Sequence, residues 1–283
     1  MDIVPRGNDA LNINPSFGVE EALSLHGSDW LWAVTAIYIV FFIGLLSLSF
    51  VAPESNRVFH YIFTFTLLTG SVTYFAEASN LGWSAVDQIN HQSNGLTRQI
   101  FFAKYINWTV SFPAISLALG LLSGISWTTI CTNIFSAWLW ILTYLVAAYT
   151  KTNYKWGFFV FGTVAWIILA MSTLNESREA AERLGIKRDY ILLSVWANLL
   201  WMLYPVAWGL SDGGNVIGVT GGSIFFGVLD VLLVPVLGFA FVVLARKWDF
   251  RKLNVDFSDA RGGWAAEASR KDKIPGEGAV LDD

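Results

Sequence analysis

Five uncharged stretches and a sixth broken by a single acid, together long enough for seven membrane-crossing helices, constrain this sequence more than any other feature. Residues 30–52 run for 23 residues without a charge, and residues 58–76 give 19 more. Residues 105–150 are 46 uncharged residues, enough for two helices, with Gly120, Gly124 and Ser126 near the middle as a turn. Residues 156–175, 191–210 and 223–245 add three more, the last interrupted only by Asp230 and Pro235. A spanning helix needs about 20 mostly apolar residues. Only 14% of the residues are charged and 54% are hydrophobic, whereas soluble domains carry about 25% charged residues. A soluble enzyme, a disordered chain and a nucleic-acid binder are thereby excluded. A single cysteine, Cys131, and three scattered histidines (His26, His60, His91) offer neither a disulfide framework nor a metal centre. The expected fold is an all-α bundle of seven transmembrane helices, with the lipid bilayer as its first partner.

Basic residues orient the bundle. With the N-terminus outside, 13 of the 18 Lys and Arg fall on the cytosolic side: Arg57, Arg178, Arg183, Lys187, Arg188 and eight beyond residue 245. Four fall outside (Arg6, Arg98, Lys151, Lys155), and Lys104 stands inside the third span. The expected organisation is an extracellular segment over 1–29, the bundle over 30–249, and a largely disordered cytosolic tail over 250–283. Residues 175–189 mix charges at helical spacing and read either as an extension of the fifth helix or as a solvated loop.

Three stretches carry chemistry. In the sixth helix Trp201, Tyr204 and Trp208 share one face, and Pro205 removes a backbone hydrogen bond beside them. On its own this pattern is also what ordinary core packing looks like. The third helix carries Lys104-Tyr105-Ile106-Asn107-Trp108, then Ser111 and Pro113. The seventh places Asp230 at mid-membrane depth, where an acid is costly and marks a functional site by default. Further runs accompany them: Tyr74 followed by Ala78-Ser79-Asn80-Leu81-Gly82, Tyr154-Lys155-Trp156-Gly157, and Trp208-Gly209-Leu210-Ser211-Asp212-Gly213-Gly214-Asn215. Together these resemble the microbial rhodopsins, most closely their fungal branch, over roughly residues 30 to 250.

The resemblance implies a retinal-binding lysine four residues after the helix-seven aspartate, but that position is Val234. It implies a proton acceptor at Asn107 and a proton donor at Ala118, neither of which is an acid. The chain is therefore similar to the heat-shock-protein-30-like opsin-related proteins, the fungal subfamily without the retinal lysine. That subfamily implies a plasma-membrane, stress-linked protein that is neither an enzyme nor a light-driven proton pump. Its partner would be a membrane ATPase or a cytosolic protein, and an oligomer is compatible with it.

By the same resemblance, a vestigial retinal pocket comprises Trp108, Ser111, Pro113, Trp140, Tyr144, Phe159, Trp201, Tyr204, Trp208 and Val234. Trp140 and Tyr144 add bulk where relatives carry smaller groups. Two readings of the pocket stand. The aromatics fill the space themselves, since an empty cavity costs about 24 cal/mol per Å³; or the space holds a noncovalent retinoid, sterol or lipid, with no covalent cofactor expected. A polar cluster is expected from Tyr74, Glu77, Lys104, Asn107 and Asp230. Lys104 is expected to pair with Asp230, Tyr74 and Tyr204 to donate to that carboxylate, and Glu77 to lie at the outer interface. The alternative functions are a photoreceptor with noncovalent retinal and an ion transporter or channel.

Overall fold

The computed structural model describes residues 8–53, 57–250 and 252–253 of the chain. Among them are seven helices long and apolar enough to cross a membrane: α1 Leu25–Val51, α2 Val58–Ala78, α3 Phe102–Ser123, α4 Trp127–Tyr149, α5 Lys155–Arg183, α6 Lys187–Gly213 and α7 Val219–Ala245. Each helix packs on the next along the chain, and α7 returns to α1, closing the ring. The expected seven-helix bundle is present. Seven crossings put the start of α1 and the end of α7 on opposite faces, the N-terminal and C-terminal faces.

Local chemistry sets the helix ends. Ser24 and Ser126 start α1 and α4 by accepting the N–H groups of Gly27 and Thr129, each at 3.2 Å, which satisfies donors that have no partner inside the helix. Gly124 ends α3 in the left-handed conformation at φ +69°, so the uncharged run of residues 105–150 divides at its glycine turn. Several helices begin earlier than their uncharged cores, α1 at Leu25 with Asp29 inside it and α6 at Lys187. Charged residues are tolerated there because the terminal turns reach the headgroup region. Pro205 is held within regular helix. The wider five-residue turns instead lie at Ser172–Glu176, Gly209–Gly213 and Leu232–Val236, the last containing Pro235. The charged run after Asn175 is helical over Ser177–Arg183.

The N-terminal face is sealed by structure that periodicity did not reveal. Between α2 and α3 runs an antiparallel hairpin, β1 Trp83–Asp87 and β2 Thr97–Phe101, in the register Trp83↔Phe101. The chain before α1 lies along β2, with the Glu21 N–H donating to Thr97 O and the Gln99 N–H to Glu21 O, each at 3.0 Å. Arg98, assigned to the outer loops by the sequence, is 1% exposed. Its guanidinium donates to Glu21 Oε2 (3.2 Å), Asn215 Oδ1 (2.8 Å) and Ile217 O (2.8 Å). The N-terminal segment, hairpin and α6–α7 loop are thereby fastened to one cation.

On the C-terminal face the folded region extends past the boundary expected at residue 249. Phe250 and Leu253 are buried. Trp248 and Phe250 lie 5.6 and 6.0 Å from the ring of Phe59, which also meets Phe241 at 5.5 Å. Trp248 Nε1 donates to Asp189 at 3.0 Å, and Leu253 reaches the α3–α4 turn. Residues 254–283 of the expected tail lie outside the described residues.

Burial raises the pKa of the Glu21 carboxyl above its ordinary 4.5, and Arg98 beside it offsets this only in part. The folded state then holds the Glu21 proton more tightly than the unfolded state. Its contribution is complete below pH 4.5 and is lost as pH rises through the folded value. We expect Glu21→Gln to flatten the decline of Tm with rising pH in that window. Equal slopes for variant and wild type in thermal unfolding would contradict this.

Candidate functional site

Two polar centres and an aromatic cluster occupy the middle and the N-terminal half of the bundle. Asp230 on α7 is 1% exposed, and donors from three other helices surround it. Tyr204 Oη of α6 donates to Oδ1, and Tyr74 Oη of α2 to Oδ2. From α3, Trp108 Nε1 donates to both oxygens at 3.0 and 3.1 Å, and Asn107 Nδ2 to Oδ2 at 3.2 Å. Tyr38 of α1 donates to the Asp230 backbone carbonyl at 3.1 Å, its ring lying where a Cβ on Gly70 would otherwise sit. Every one of these donors is neutral.

The cations lie at a second acid, which corrects the expected Lys104–Asp230 pair. Lys104 Nζ is 2.5 Å from Asp212 Oδ2. Lys104 precedes Asn107 by three residues, about 4.5 Å of helix rise toward the N-terminal face, and that displacement carries it past Asp230. Tyr105 Oη donates to the same Asp212 oxygen at 2.7 Å and accepts from Trp208 Nε1 at 2.8 Å. Arg98 Nε lies 3.8 Å from Oδ1. Lys155 Nζ donates to the Asp212 backbone carbonyl at 3.2 Å and is buried, not looped outside, so Lys104 is not alone among buried lysines. Asp212 escaped selection because its Ser-Asp-Gly-Gly-Asn setting reads as a loop. The wide turn Gly209–Gly213 is what keeps it helical and buried.

Glu77 is likewise not at an open interface. It is 4% exposed, and its Oε1 has no hydrogen-bond partner within the protein. With Tyr74, Lys104, Arg98 and Asp212 it lines a narrow enclosed space under the hairpin. Of the five residues expected to cluster, Tyr74, Asn107 and Asp230 meet directly, whereas Lys104 and Glu77 border the Asp212 centre.

The aromatic residues meet ring to ring across the bundle. Tyr144 of α4 is 5.1 Å from both Phe159 of α5 and Trp208 of α6, and Phe159 stacks on Trp208 at 5.1 Å. Trp140 of α4 lies 6.4 Å from both Trp201 and Tyr204 of α6. At the centre is Phe112 of α3, not singled out from the sequence. Its ring is 4.8 Å from Tyr204, 5.0 Å from Trp140, 6.0 Å from Trp201 and 6.2 Å from Trp108. An aromatic beside Pro113 in an apolar helix gives no signal that separates it from ordinary core. Ser111, Pro113 and Val234 are buried as well. The Ser111 hydroxyl and the indole N–H groups of Trp140 and Trp201 have no hydrogen-bond partner within the protein. Among the described residues no group of three His, Cys, Asp or Glu could hold a metal ion.

Loss of one partner from a buried ion pair leaves an uncompensated charge and typically costs about 3–5 kcal/mol. We expect Lys104→Ala to destabilise the protein by about 3 kcal/mol, because Asp212 keeps Tyr105 and the more distant Arg98. A double-mutant cycle of Lys104→Ala with Asp212→Asn should give a coupling above about 1 kcal/mol, and with Asp230→Asn a coupling within about 0.5 kcal/mol of zero. The reverse order would place the pair at Asp230.

The model of the bacteriorhodopsin-like proteins matches residues 28–249. The opsin-like protein carO of Fusarium fujikuroi is 35% identical over 264 residues, covering 90% of this chain and 86% of its own. The 30 kDa heat shock protein of Saccharomyces cerevisiae is 30% identical, covering 81% and 75%. Among solved structures, the light-driven proton pump LR (Mac) of Leptosphaeria maculans superimposes with a TM-score of 0.76 at 30% identity, covering 82% of this chain and 98% of that one. The chain belongs to the bacteriorhodopsin-like family, in its fungal opsin-related branch.

Proposed function

We propose that this chain is an opsin-related membrane protein that forms no retinal imine, pumps no protons and catalyses no reaction. It acts instead as a stress-linked membrane component that engages a partner, either a membrane ATPase or a cytosolic protein. The family usually binds retinal, and the residues here do not suit that group. The observation that carries the reading is the side-chain set of the slot. Val234 offers no amine at the position where the resemblance places the lysine. Phe112 and Trp140 meet Trp201 and Tyr204 directly, so rings stand where a polyene would thread. Asn107 at the acceptor position is already committed as a donor to Asp230, and Ala118 at the donor position carries no proton. In this reading the ten pocket residues from Trp108 to Val234 are a vestigial site that serves as core.

In this reading the C-terminal face is cytosolic, which the basic count supports, and the membrane is the plasma membrane, which the resemblance to the opsin-related subfamily implies. The name of the yeast relative, a 30 kDa heat shock protein, supports the stress link. A second reading, a noncovalent retinoid or sterol, is favoured by one observation. The indole N–H groups of Trp140 and Trp201 lack acceptors within the protein, and a ligand oxygen would supply one.

The absorption spectrum of the purified protein with and without all-trans-retinal tests this. We expect no band to the red of free retinal in the wild type. With Val234→Lys alone we again expect none, because the rings still close the slot. A visible pigment in the wild type would overturn the proposal. A visible pigment in Val234→Lys would show that the slot is open. For the partner, we expect deletion of residues 254–283 to weaken copurification of a membrane ATPase or cytosolic protein at least threefold, a loss of about 0.6 kcal/mol or more in binding. Unchanged recovery would move the contact to the helices.

A further inference from the structure

A second cavity, unrelated to the aromatic slot, opens at the C-terminal face where α1 ends, α2 begins and α7 ends. Its volume is about 330 Å³, within the range of small-ligand sites. Leu48 and Val51 of α1 and Val242 and Ala245 of α7 form its apolar wall, and His60 and Arg246 are its polar lining. The depth follows from helix length. At 1.5 Å per residue the 27 residues of α7 extend about 40 Å, longer than the roughly 30 Å hydrocarbon core. Its last turn therefore lies at the boundary between acyl chains and headgroups. Arg246, the first residue beyond that turn, is exposed, as is Lys247. Arg57 Nε donates to the carbonyl of Ala52, a residue of the cavity wall, at 2.9 Å.

From this geometry we propose that the cavity binds one anionic phospholipid of the leaflet at the C-terminal face. The phosphate meets Arg246 and His60, and the glycerol backbone and upper acyl chain lie along Leu48, Val51, Val242 and Ala245. A guanidinium at the mouth recognises phosphate by charge-assisted hydrogen bonds. Basic pockets between transmembrane helices are suited to anionic headgroups. A sterol would bring a neutral hydroxyl and leave that charge unanswered, and a zwitterionic lipid would bring a competing cation to the same mouth. The site does not depend on the retinal reading.

The test uses the full chain in neutral detergent, with lipid retention read by native mass spectrometry. Palmitoyl-oleoyl phosphatidylglycerol, which is anionic and carries no headgroup cation, should be retained as a single copy, about tenfold more than phosphatidylcholine at equal concentration. Arg246→Gln should lower that retention about tenfold, corresponding to one good polar contact. Ala245→Phe, which fills the cavity, should lower it comparably, and Lys247→Gln should leave it within about twofold. Equal retention of the two lipids would overturn the proposal. So would a loss in Lys247→Gln matching that in Arg246→Gln, which means a diffuse basic surface. Displacement by inorganic phosphate would assign the site to a free anion, and displacement by ergosterol would assign it to a sterol; either result overturns the proposal.

Discussion

Inside a bilayer, helices gain little from burying apolar surface against one another, because lipid tails are equally apolar. Interhelical hydrogen bonds and close fit then decide which helices meet and in what rotation. Asp230 is where that decision is concentrated. Its two carboxylate oxygens draw on Tyr74, Asn107, Trp108 and Tyr204, and its backbone carbonyl draws on Tyr38. Five of the seven helices thus converge on one residue. Rotating any of them would strand a polar group in a medium with no water to receive it.

A division of labour follows from the neutrality of those donors. Because Asp230 is satisfied without a cation, Lys104 and Arg98 are left to Asp212, nearer the N-terminal face. Tyr105 and Trp208 link the Asp212 centre to the aromatic cluster through consecutive hydrogen bonds. Phe112 closes the cluster from the α3 side. Along α3 the groups that reach the two buried acids, Lys104, Tyr105, Asn107 and Trp108, are thereby gathered in its N-terminal half, while below Trp108 the rings of Phe112, Trp140 and Trp201 pack together.

Much of this was legible in the sequence, for physical reasons that can be named. Bilayer thickness forces a spanning segment to announce itself by length, so the seven helices and the glycine turn between α3 and α4 could be read directly. An acid in an apolar run is costly, so Asp230 stood out; Tyr74, Asn107 and Lys104 stood out through the motifs that carry the resemblance. The donation of Tyr74 and Tyr204 to Asp230 could be read as well, but the partner of Lys104 could not, because a three-residue offset along α3 decides which acid it reaches. Asp212 was hidden by its loop-like neighbours, and only a wide helical turn makes it internal. Phe112 was hidden because a buried aromatic in a membrane helix is the common case. The hairpin was hidden because two five-residue strands are too short to show alternation above the background. Arg98 and Lys155 lie at the N-terminal face, but their burial was hidden because counting charges by side treats every loop cation as solvated.

The return of the chain beneath the bundle after α7 has a mechanical consequence. Trp248 and Phe250 insert beside Phe59 and Phe241, and Leu253 reaches the α3–α4 turn. Whatever follows Leu253 is therefore anchored across the face rather than at the end of the seventh helix. A pull on that chain would load an aromatic clasp between α2 and α7 before it loaded α7 itself. The two helices that hold Tyr74 and Asp230 are the two that the clasp joins, so tension on Leu253 would bear on the same pair of helices that carries the buried carboxylate.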